Sequence, residues 1–572
     1  MITSLRFAFF LALIAVGGRA LTISHRRSDL ESPVVEIAYA AYQGALEGNV
    51  QKFLGISYAQ PPVGDLRLRR PLPIPRAGSS KPFFPASNFS NSCPQQNYTL
   101  SQLPGIDYSP LRGFVSKVKS SEDCLYLNVF RPVGISADAK LPVVVWIYGG
   151  GFSVGDASVF NATTLVSRSV RLGNPVIYVS FNYRVNGFGF LAGKEVKEAG
   201  VANLGIHDQR LALAWVQEFI EKFGGDPKKV TLWGQSAGSG SITTHLVTHP
   251  DKEKTPFRGA VMHSIFSSPT FATDHPKHQA FYDSIVENTG CSGQNSTLDC
   301  LRKVPFDKYM GAVNKLPSLF SNRGLNLTFG ISVDGNLLNK TLKTAYRDGE
   351  FSSVPLMLGS NDDEGTIFSI PVVQDVGDDA QFRAFITKYY VGSVNSSTVD
   401  RVMAAYPADH DFGSPFETSA IQYPGLPQYK RTAAFQGDFI VGSARRAMLE
   451  AVSKVQGAFV WLWKREKSVK YLGSVHGGEL PEFYGVSGVV TDNVALDSVL
   501  SFVNFQNPIP PKENFAGSLL HNMTWPKWGT NRDQPPVFLF SDVPHETYGL
   551  IHDTYRKANM ELLTQVQVET GV

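Results

Sequence analysis

A single serine stands between two glycines in the stretch V-T-L-W-G-Q-S-A-G-S-G, residues 230–240. A serine hydroxyl attacks an ester only if it projects from the chain, lies beside a base and has amide donors ready for the developing oxyanion. A sharp turn from a strand into a helix exposes the hydroxyl and crowds the residues two before and two after it. Gly234 and Gly238 fit that crowding, so the stretch predicts Ser236 as a nucleophile with the Ala237 N–H as one oxyanion donor.

A second stretch, W-I-Y-G-G-G-F at 146–152, follows a run of strand-like residues that begins at Leu141. Glycines leave the main chain bare, so the N–H groups of Gly150 and Gly151 are predicted to point at the same substrate oxygen as the Ala237 N–H. The competing interpretation is an ordinary glycine-rich turn. A phosphate-binding loop is disfavoured because no Gly-Lys-Ser/Thr sequence follows.

Strand-like and helical segments alternate along the chain. Apolar β-branched or aromatic runs predict strands buried on both faces at 141–148, 176–182, 230–233, 260–263, 354–358 and 458–463. The clearest helix lies at 207–223, where apolar residues recur at helical spacing and Gly224 and Gly225 supply the stop. This alternation predicts an α/β fold with a large, mostly parallel sheet flanked by helices. Because no long linker divides the chain, residues 21–572 are predicted to form a single domain with loop and helix insertions.

The N-terminus has the layout of a secretory signal. One positive residue precedes an apolar run from Phe7 to Val16, and small residues lead to Ala20, so residues 1–20 are predicted to be a signal peptide. The run is too short to cross a bilayer of about 30 Å comfortably, and no later segment reaches transmembrane length. The predicted destination is outside the cell.

Asn-x-Ser/Thr sequons, some of which we expect to carry N-linked glycans, occur at Asn88, Asn97, Asn161, Asn295, Asn326, Asn339, Asn395 and Asn522.

Composition and cysteine usage narrow the classes of function. Hydrophobic residues make up 43% of the chain and charged residues 18%, which is typical of a soluble globular protein. A net charge of +3 without a block of like charges predicts no nucleic-acid partner. Four cysteines allow three pairings, and proximity in sequence favours the disulfides Cys93–Cys124 and Cys291–Cys300. No C-x-x-C and no His-x-x-x-His lies near them, so no metal site is predicted.

Taken together, these residues resemble the type-B carboxylesterase and lipase family of the α/β-hydrolase fold, which includes cholinesterases and fungal lipases. The resemblance rests on F-G-G-D-P-K-K-V-T-L-W-G-Q-S-A-G at 223–238, E-D-C-L-Y-L-N-V-F-R-P at 122–132 and the glycines at 149–151. Weaker similarities occur at 55–67, 179–184, 361–365 and 473–480. The resemblance implies the α/β-hydrolase fold and hydrolysis of carboxylic esters.

The resemblance also assigns the rest of a catalytic triad. It places Glu364, in D-E-G, as the acid and His476, in a G-x-x-H stretch, as the base, in the chain order expected of this fold. His476 would take the Ser236 proton and pass it to the leaving alcohol, while Glu364 would hold the imidazole tautomer. From the residues alone, Asp362 and Asp363 are nearly equal candidates for the acid. Serine, histidine and backbone amides supply every role, so no metal or organic cofactor is predicted.

The sequence departs from the family pattern at several positions. Tyr148 stands where many esterases have histidine, and Gln235 stands where many have glutamate. Ile265 and Phe266 replace a frequent Gly-Ser pair, which places acyl-pocket details taken from relatives in doubt. The bulky apolar residues Phe152, Ile265, Phe266 and Phe368 are candidates for the wall of an acyl pocket, although each is equally compatible with the core.

The segment between Cys93 and Cys124 bears on the substrate. At 108–118, apolar residues would line one face of a short helix and cationic residues the other. In fungal lipases of this family the disulfide-tied loop at this place is a lid, so the resemblance implies transient contact with a lipid interface; the alternative is an ordinary surface loop. The loop lacks the tryptophan with which cholinesterases attract choline, so a quaternary ammonium substrate is disfavoured.

Three functions remain compatible with these features. The first is a secreted hydrolase of lipid-like or long-chain esters, similar to lipases and sterol esterases. The second is a soluble carboxylesterase for short-chain or aromatic esters, including feruloyl-type substrates. The third is a non-catalytic adhesion or binding protein, which the complete triad and the oxyanion glycines disfavour. The lid-like helix favours the first over the second.

Overall fold

The strands of the protein gather into one large and one small sheet. The computed structural model describes residues 32–78, 80–99, 104–108, 116, 118–249, 255–266, 270–392, 395–418, 423–487, 492–544 and 546–570. Its strands are β1 (Val34–Glu36), β2 (Ala41–Gln43), β3 (Ala45–Glu47), β4 (Val50–Ser57), β5 (Phe83–Pro85), β6 (Tyr126–Pro132), β7 (Leu141–Ile147), β8 (Ile177–Phe181), β9 (Gly225–Gln235), β10 (Gly259–His263), β11 (Leu356–Asn361), β12 (Ala458–Lys464), β13 (Pro536–Ser541) and β14 (Tyr548–His552). The predicted signal peptide and most of the predicted helix at 108–118 lie outside the described residues.

The large sheet has eleven strands in the order β14-β13-β12-β11-β10-β9-β7-β8-β6-β4-β3. Neighbouring strands from β8 across to β13 run parallel. The pairs at both edges of the sheet run antiparallel. The small sheet has the order β1-β2-β5. The predicted α/β fold with a mostly parallel sheet is therefore confirmed.

Helices connect and cover the strands. They are α1 (Thr163–Arg171), α2 (Asn186–Gly189), α3 (Lys194–Glu198), α4 (Leu204–Phe219), α5 (Ala237–Thr248), α6 (Pro276–Thr289), α7 (Thr297–Lys303), α8 (Phe306–Val313), α9 (Leu342–Arg347), α10 (Thr366–Ser369), α11 (Asp379–Ile386), α12 (Ser396–Ala405), α13 (Tyr429–Gly437), α14 (Ser443–Val452), α15 (Leu480–Phe483), α16 (Val494–Phe505) and α17 (Lys557–Thr570). Helices α1, α4, α5 and α16 pack directly on strands of the large sheet. No helix in the described part of the chain is long and apolar enough to span a membrane.

The apolar runs explain where the inner strands form. Every residue of β8, β10 and β11 is buried, because strands covered on both faces need apolar side chains at alternate and intervening positions alike. All six predicted strands are present, with ends that differ by a few residues. The largest difference is at β9, which begins at Gly225 and adds polar residues before its apolar part.

The predicted helix at 207–223 is α4 followed by one 3-10 turn at Ile220–Phe223. Gly224 ends it in the left-handed conformation, with φ of +87°, as a glycine at a helix C-terminus does. The buried apolar side chains form one continuous cluster across the described residues. The assignment of 21–572 to a single domain stays a prediction.

Parallel strands bring their carboxyl ends to one edge of the sheet, where ligands bind in open α/β sheets. The glycine loop at 149–151 follows β7, and Ser236 follows β9, the neighbour of β7. Glu364 follows β11, and His476 lies in the loop after β12. The fold therefore gathers all the predicted catalytic residues at the same edge.

Candidate active site

Ser236 occupies a strained turn between β9 and α5. Its φ of 56° and ψ of −122° lie outside the regions that residues with a side chain normally adopt. The turn is tight: a Cβ atom added to Gly234 would lie 2.9 Å from the carbonyl carbon of Gly238, and one added to Gly238 would lie 2.0 Å from the Ile147 oxygen. Glycine is therefore required on both sides of Ser236, and at Gly238 the obstacle is the end of β7.

His476 and Glu364 form a buried pair beside this turn. Nδ1 of His476 lies 2.5 Å from Oε2 of Glu364, and the two side chains are 5% and 4% exposed. The other carboxylate oxygen, Oε1, accepts a hydrogen bond of 2.7 Å from the Asn361 N–H. Because a carboxylate only accepts, Nδ1 carries the proton and Nε2 carries the lone pair. This is the tautomer that a general base at Nε2 needs.

The two competing carboxylates have different partners. Asp362 contacts Lys467 at 2.9 Å and Arg556 at 3.0 Å. Burial opposes its ionisation, yet these cations hold the pKa of Asp362 well below its usual range. Asp363 contacts Lys467 at 2.6 Å and accepts from the N–H of Ser474, two residues before His476. Burial and the charge of Asp362 raise the pKa of Asp363. Asp362 and Asp363 therefore hold the loop that contains His476, whereas Glu364 is the carboxylate that contacts the imidazole.

The lone pair of His476 faces Gln235. The side-chain Nε2 of Gln235 lies 3.0 Å from Nε2 of His476 and donates to it. Ser236 and His476 line the same pocket, but no hydrogen bond joins the Ser236 hydroxyl to a described residue. The predicted transfer of a proton from Ser236 to His476 therefore requires the amide of Gln235 to release the lone pair first.

The glycine loop after β7 presents bare backbone to the pocket. Gly150 and Gly151 have φ of +106° and +59°, in the region that favours glycine. A Cβ atom at Gly150 would lie 2.3 Å from the Val154 oxygen, so a larger residue does not fit. Within the described residues, the N–H groups of Gly150 and Gly151 have no acceptor. The Ala237 N–H is the first of α5 and has no partner within that helix.

A pair of tyrosines holds this loop against the sheet. The rings of Tyr148 and Tyr183 stack with centroids 4.3 Å apart. The Tyr148 hydroxyl donates to the Tyr183 carbonyl at 2.8 Å and accepts from the Tyr183 N–H at 3.0 Å. The Tyr183 hydroxyl donates to the Tyr148 carbonyl at 2.8 Å. Tyr148, which departs from the family pattern, therefore anchors the residue that precedes the three glycines.

We expect the Tyr148→Phe variant to lose about tenfold in kcat with little change in KM, because the oxyanion donors lose their fixed position. Two backbone groups of Tyr183 would also be left without their buried partner, which lowers the free energy of unfolding by about 1–3 kcal/mol. Steady-state kinetics and chemical denaturation measure both effects. Tyr178→Phe is the matched control, since Tyr178 is another buried tyrosine, on β8, whose hydroxyl bonds the Tyr484 hydroxyl at 3.0 Å. A similar loss of kcat in the control would contradict the anchoring role.

A second buried histidine pair contacts the backbone of Ser236 and was not found from the sequence. Nδ1 of His263 lies 3.1 Å from Glu479, and the Trp233 indole donates to His263 Nε2 at 2.8 Å. The His263 carbonyl accepts the Ser236 N–H at 3.0 Å. Glu479 also accepts from Asn361 at 2.6 Å, and although burial opposes it, these partners lower the pKa of Glu479. The pair thus ties the backbone of Ser236 to the histidine loop.

Glu466, in the loop after β12, gives the stability a defined pH dependence. Burial, Asp542 and Glu479 raise its pKa from 4.5 to about 7. The folded protein therefore keeps a proton that the unfolded chain has lost, so the free energy of unfolding falls as pH rises from 4.5 to about 7. Burial also raises the pKa of Glu482 to about 7, so we expect Glu466→Gln to reduce this fall without abolishing it and to be more stable than the wild type at pH 8 by about 1–3 kcal/mol. Chemical denaturation across this pH range tests the prediction, with Glu513→Gln, at an exposed position, as the control. Parallel curves of the free energy of unfolding against pH for Glu466→Gln and the wild type would contradict the prediction.

The pocket at Ser236 is a small apolar cavity of about 30 Å³. Of the candidate acyl-pocket residues, Phe266 and Phe368 line it, and the Phe368 ring meets the His476 ring edge to face at 5.1 Å. Phe152 instead packs on Phe190, and Ile265 faces a neighbouring cavity. The sequence missed six apolar lining residues, Tyr98, Val154, Leu319, Phe320, Leu325 and Ile367. Three of them lie near features that the sequence showed: Tyr98 in the segment between Cys93 and Cys124, Val154 three residues after the glycine loop, and Ile367 three residues after Glu364.

Both predicted disulfides, Cys93–Cys124 and Cys291–Cys300, are present. Within the residues that the structure describes, no group of three or more His, Cys, Asp or Glu side chains could hold a metal ion.

Comparison with known proteins agrees with this geometry. The chain matches the carboxylesterase family over residues 31–417. It is 36% identical over 514 residues to Secreted lipase 1 of Botryotinia fuckeliana (strain B05.10), which covers 87% of this chain and 88% of that protein. It is also 36% identical over 493 residues to Lipase 4 of Diutina rugosa, covering 84% and 86% of the two chains. Among solved structures, Aspergillus niger EstA superposes with a TM-score of 0.79 at 26% identity, covering 95% of this chain and 100% of that chain.

Proposed function

The chain belongs to the carboxylesterase family and is a carboxylic ester hydrolase of the lipase type, and we propose that it cleaves esters through an acyl-enzyme on Ser236. The observation that carries the proposal is the contact of 2.5 Å between His476 Nδ1 and Glu364, which leaves Nε2 as the basic nitrogen of a ring that lines the same pocket as Ser236. Glu364 and His476 are thus the acid and the base of the proposed triad.

In the first half of the reaction, the Ser236 oxygen forms a bond to the ester carbonyl carbon while its proton moves to Nε2 of His476. The N–H groups of Gly150, Gly151 and Ala237 stabilise the negative charge on the carbonyl oxygen. The bond to the alcohol oxygen then breaks, and the proton on Nε2 passes to the departing alcohol. Glu364 stabilises the transient imidazolium.

In the second half, a water molecule attacks the acyl-enzyme. His476 accepts a proton from the water, the bond from Ser236 to the acyl carbon breaks, and the proton returns to the Ser236 oxygen. The products are a carboxylic acid and the regenerated enzyme. No step of this reaction requires a metal or an organic cofactor.

For the substrate, we propose esters with lipid-like or long acyl chains. The pocket walls around Ser236 are apolar, and Phe266 separates this pocket from a larger cavity of about 320 Å³. That cavity is lined by apolar residues such as Ile265, Leu342 and Met448 and by charged ones such as Arg347 and Glu450. Because Phe266 lines both spaces, a shift of its ring would give an acyl chain access from the pocket at Ser236 to the larger cavity. The relatives named as lipases support the same class of substrate.

A soluble esterase for short-chain or aromatic esters is the second candidate. The catalytic pocket itself measures only about 30 Å³, which favours a small acyl group. The structural similarity to Aspergillus niger EstA fits this candidate as well.

We further propose that the protein is secreted, that it carries N-linked glycans and that it contacts lipid interfaces transiently. The relative named as a secreted lipase supports secretion. Seven of the eight sequon asparagines are exposed, which a glycan requires. Asn326 differs, because it is only partly exposed and its side-chain amide donates to the Tyr389 carbonyl at 2.5 Å. We therefore expect Asn326 to stay unmodified.

Hydrolysis of p-nitrophenyl esters from acetate to palmitate, below and above the concentration at which the longer esters form an interface, tests the substrate proposal. A jump in rate on long chains at the interface supports the lipase. Saturable activity confined to short chains supports the soluble esterase. The Ser236→Ala variant is the control, and hydrolysis that survives in it would overturn the acyl-enzyme on Ser236 itself.

A further inference from the structure

The side chain of Gln235 lies against His476, the base of the proposed triad. It is the last residue of β9, and its Cα pairs with that of His263 on β10. Its side chain is almost completely buried, at 1% exposure for the residue. From there the amide Nε2 lies 3.0 Å from Nε2 of His476, the nitrogen that must accept the Ser236 proton. The backbone register of the sheet thus places an amide donor on the lone pair of the base.

The oxyanion loop packs over the same amide. A Cβ atom on Gly149 would lie 2.6 Å from Oε1 of Gln235, so glycine at this position lets the loop approach the side chain. Oε1 is buried and accepts from no group in the described part of the chain. Among the described residues, the polar contact that holds the side-chain amide is therefore the one to His476. The amide lies between the loop that binds the oxyanion and the imidazole that moves the proton.

We propose that Gln235 is a positioning residue that stabilises the neutral, Nδ1-protonated form of His476 and thereby extends ester hydrolysis to lower pH. A hydrogen bond donated to the Nε2 lone pair exists only in the neutral ring, because a proton on Nε2 would face the amide N–H. The contact therefore favours the form of His476 that acts as the base. The inference rests on the proposed function, since it requires His476 to accept the Ser236 proton.

Other ionisable side chains lie on the elements around the ring, and none of them is substituted in a variant at residue 235. They are Glu364, Asp362 and Asp363 after β11, Lys464 at the end of β12, Glu466, Lys467 and Glu479 in the loop that follows, His263 at the end of β10, Tyr98 in the pocket wall, and Tyr148 and Asp156 around the oxyanion loop. A difference between variants at position 235 therefore reports the side chain of that residue.

The test is the pH profile of kcat/KM for a soluble p-nitrophenyl ester, normalised to the plateau of each variant. Gln235→Leu removes the donor with little change in size, and we expect the midpoint of the acid limb to move up by about 0.5–1 pH unit. Gln235→Glu places a negative charge about 3 Å from Nε2 and favours the protonated ring, so its midpoint should move up by about 1–2 pH units. The order of midpoints is wild type, Gln235→Leu, Gln235→Glu.

Gln209→Leu is the matched control, because Gln209 is another buried glutamine that bonds a buried histidine, His245, at 2.9 Å. Its acid limb should coincide with that of the wild type. Superimposed acid limbs for the wild type and Gln235→Leu would overturn the proposal, because the amide would then stabilise both forms of the ring equally. If thermal melts show that Gln235→Leu does not fold, Gln235→Met, which also lacks the donor and is close to glutamine in size, takes its place. Loss of activity in Ser236→Ala with superimposed acid limbs would refute only the role of Gln235, whereas activity in Ser236→Ala would refute the proposed function.

Discussion

We expect the Ser236→Ala variant to lose about 10⁴–10⁶-fold in kcat while keeping its fold. The reason is chemical: without the hydroxyl no acyl-enzyme forms, and His476 has no proton to accept. The side chain of Ser236 makes no hydrogen bond to a described residue, so its removal leaves no buried group without a partner. Single-turnover and steady-state hydrolysis of a p-nitrophenyl ester, with circular dichroism for the fold, measure the effect.

A second variant, Ser236→Gly, distinguishes the loss of activity from the effect of the strained backbone on stability. Ser236 has φ of 56° and ψ of −122°, a conformation that costs a residue with a Cβ atom about 1–3 kcal/mol. Glycine has no such cost, so Ser236→Gly should be as inactive as Ser236→Ala but should melt at a higher temperature than the wild type. Such a result would show that the strained backbone at residue 236 lowers stability and is kept because it positions the nucleophilic hydroxyl. A kcat within about tenfold of the wild-type value in both variants would contradict the role of Ser236.

The second large effect concerns the acid of the triad. We expect Glu364→Gln to lower kcat by about 10³–10⁴-fold, because an amide at this position neither holds the Nδ1-protonated tautomer nor stabilises the imidazolium. KM should change little, since the carboxylate lies behind the ring and does not line the pocket. The same kinetics, measured across the pH range of the wild type, report the loss.

Asp363→Asn is the matched comparison, since Asp363 is the neighbouring carboxylate that the sequence left open. It bonds Lys467 and the backbone N–H groups of Ser474 and Phe416, and it does not contact the imidazole. We expect this variant to lose stability in a melt and to keep most of its kcat per folded molecule. The reverse outcome, a large loss of kcat in Asp363→Asn with an active Glu364→Gln, would assign the acid to Asp363.

Much of the fold was predictable because it depends on local patterns. The six apolar runs are long enough to identify buried strands, and Gly224 marks the end of α4 through its left-handed conformation. The turn at Ser236 was predictable for a similar reason, since a strand, two glycines and a helix follow one another within a few residues. The polar start of β9 was missed because it carries no apolar signal: only Gly225 pairs with β7 there, and a register shift separates this pair from the apolar part that begins at Val230.

The remaining parts of the site depend on contacts between distant segments. The choice of Glu364 over Asp363 follows from the loop after β12, which turns Asp363 towards Ser474 and leaves Glu364 on His476. The stacking of Tyr148 on Tyr183 and the pair of His263 and Glu479 are likewise set by tertiary packing, with partners 35 and 216 residues apart. No spacing rule along the chain identifies such partners.

The contact between Gln235 and His476 shows most clearly what the sequence alone does not predict. The sequence identified Gln235 as a departure from the family pattern, but its consequence depends on a distance between side chains 241 residues apart. Only the assembled sheet shows that the amide meets the lone pair of the base.

The most direct measurement is to trap the proposed acyl-enzyme. A p-nitrophenyl ester of an alkylphosphonate transfers its phosphonyl group to an activated serine and releases one equivalent of p-nitrophenolate. Digestion with trypsin and mass spectrometry then locate the adduct. We predict one adduct per molecule, on Ser236 in the peptide that begins at Val230 after cleavage at Lys229, and none in Ser236→Ala. Complete inactivation with the adduct on another residue would contradict the account.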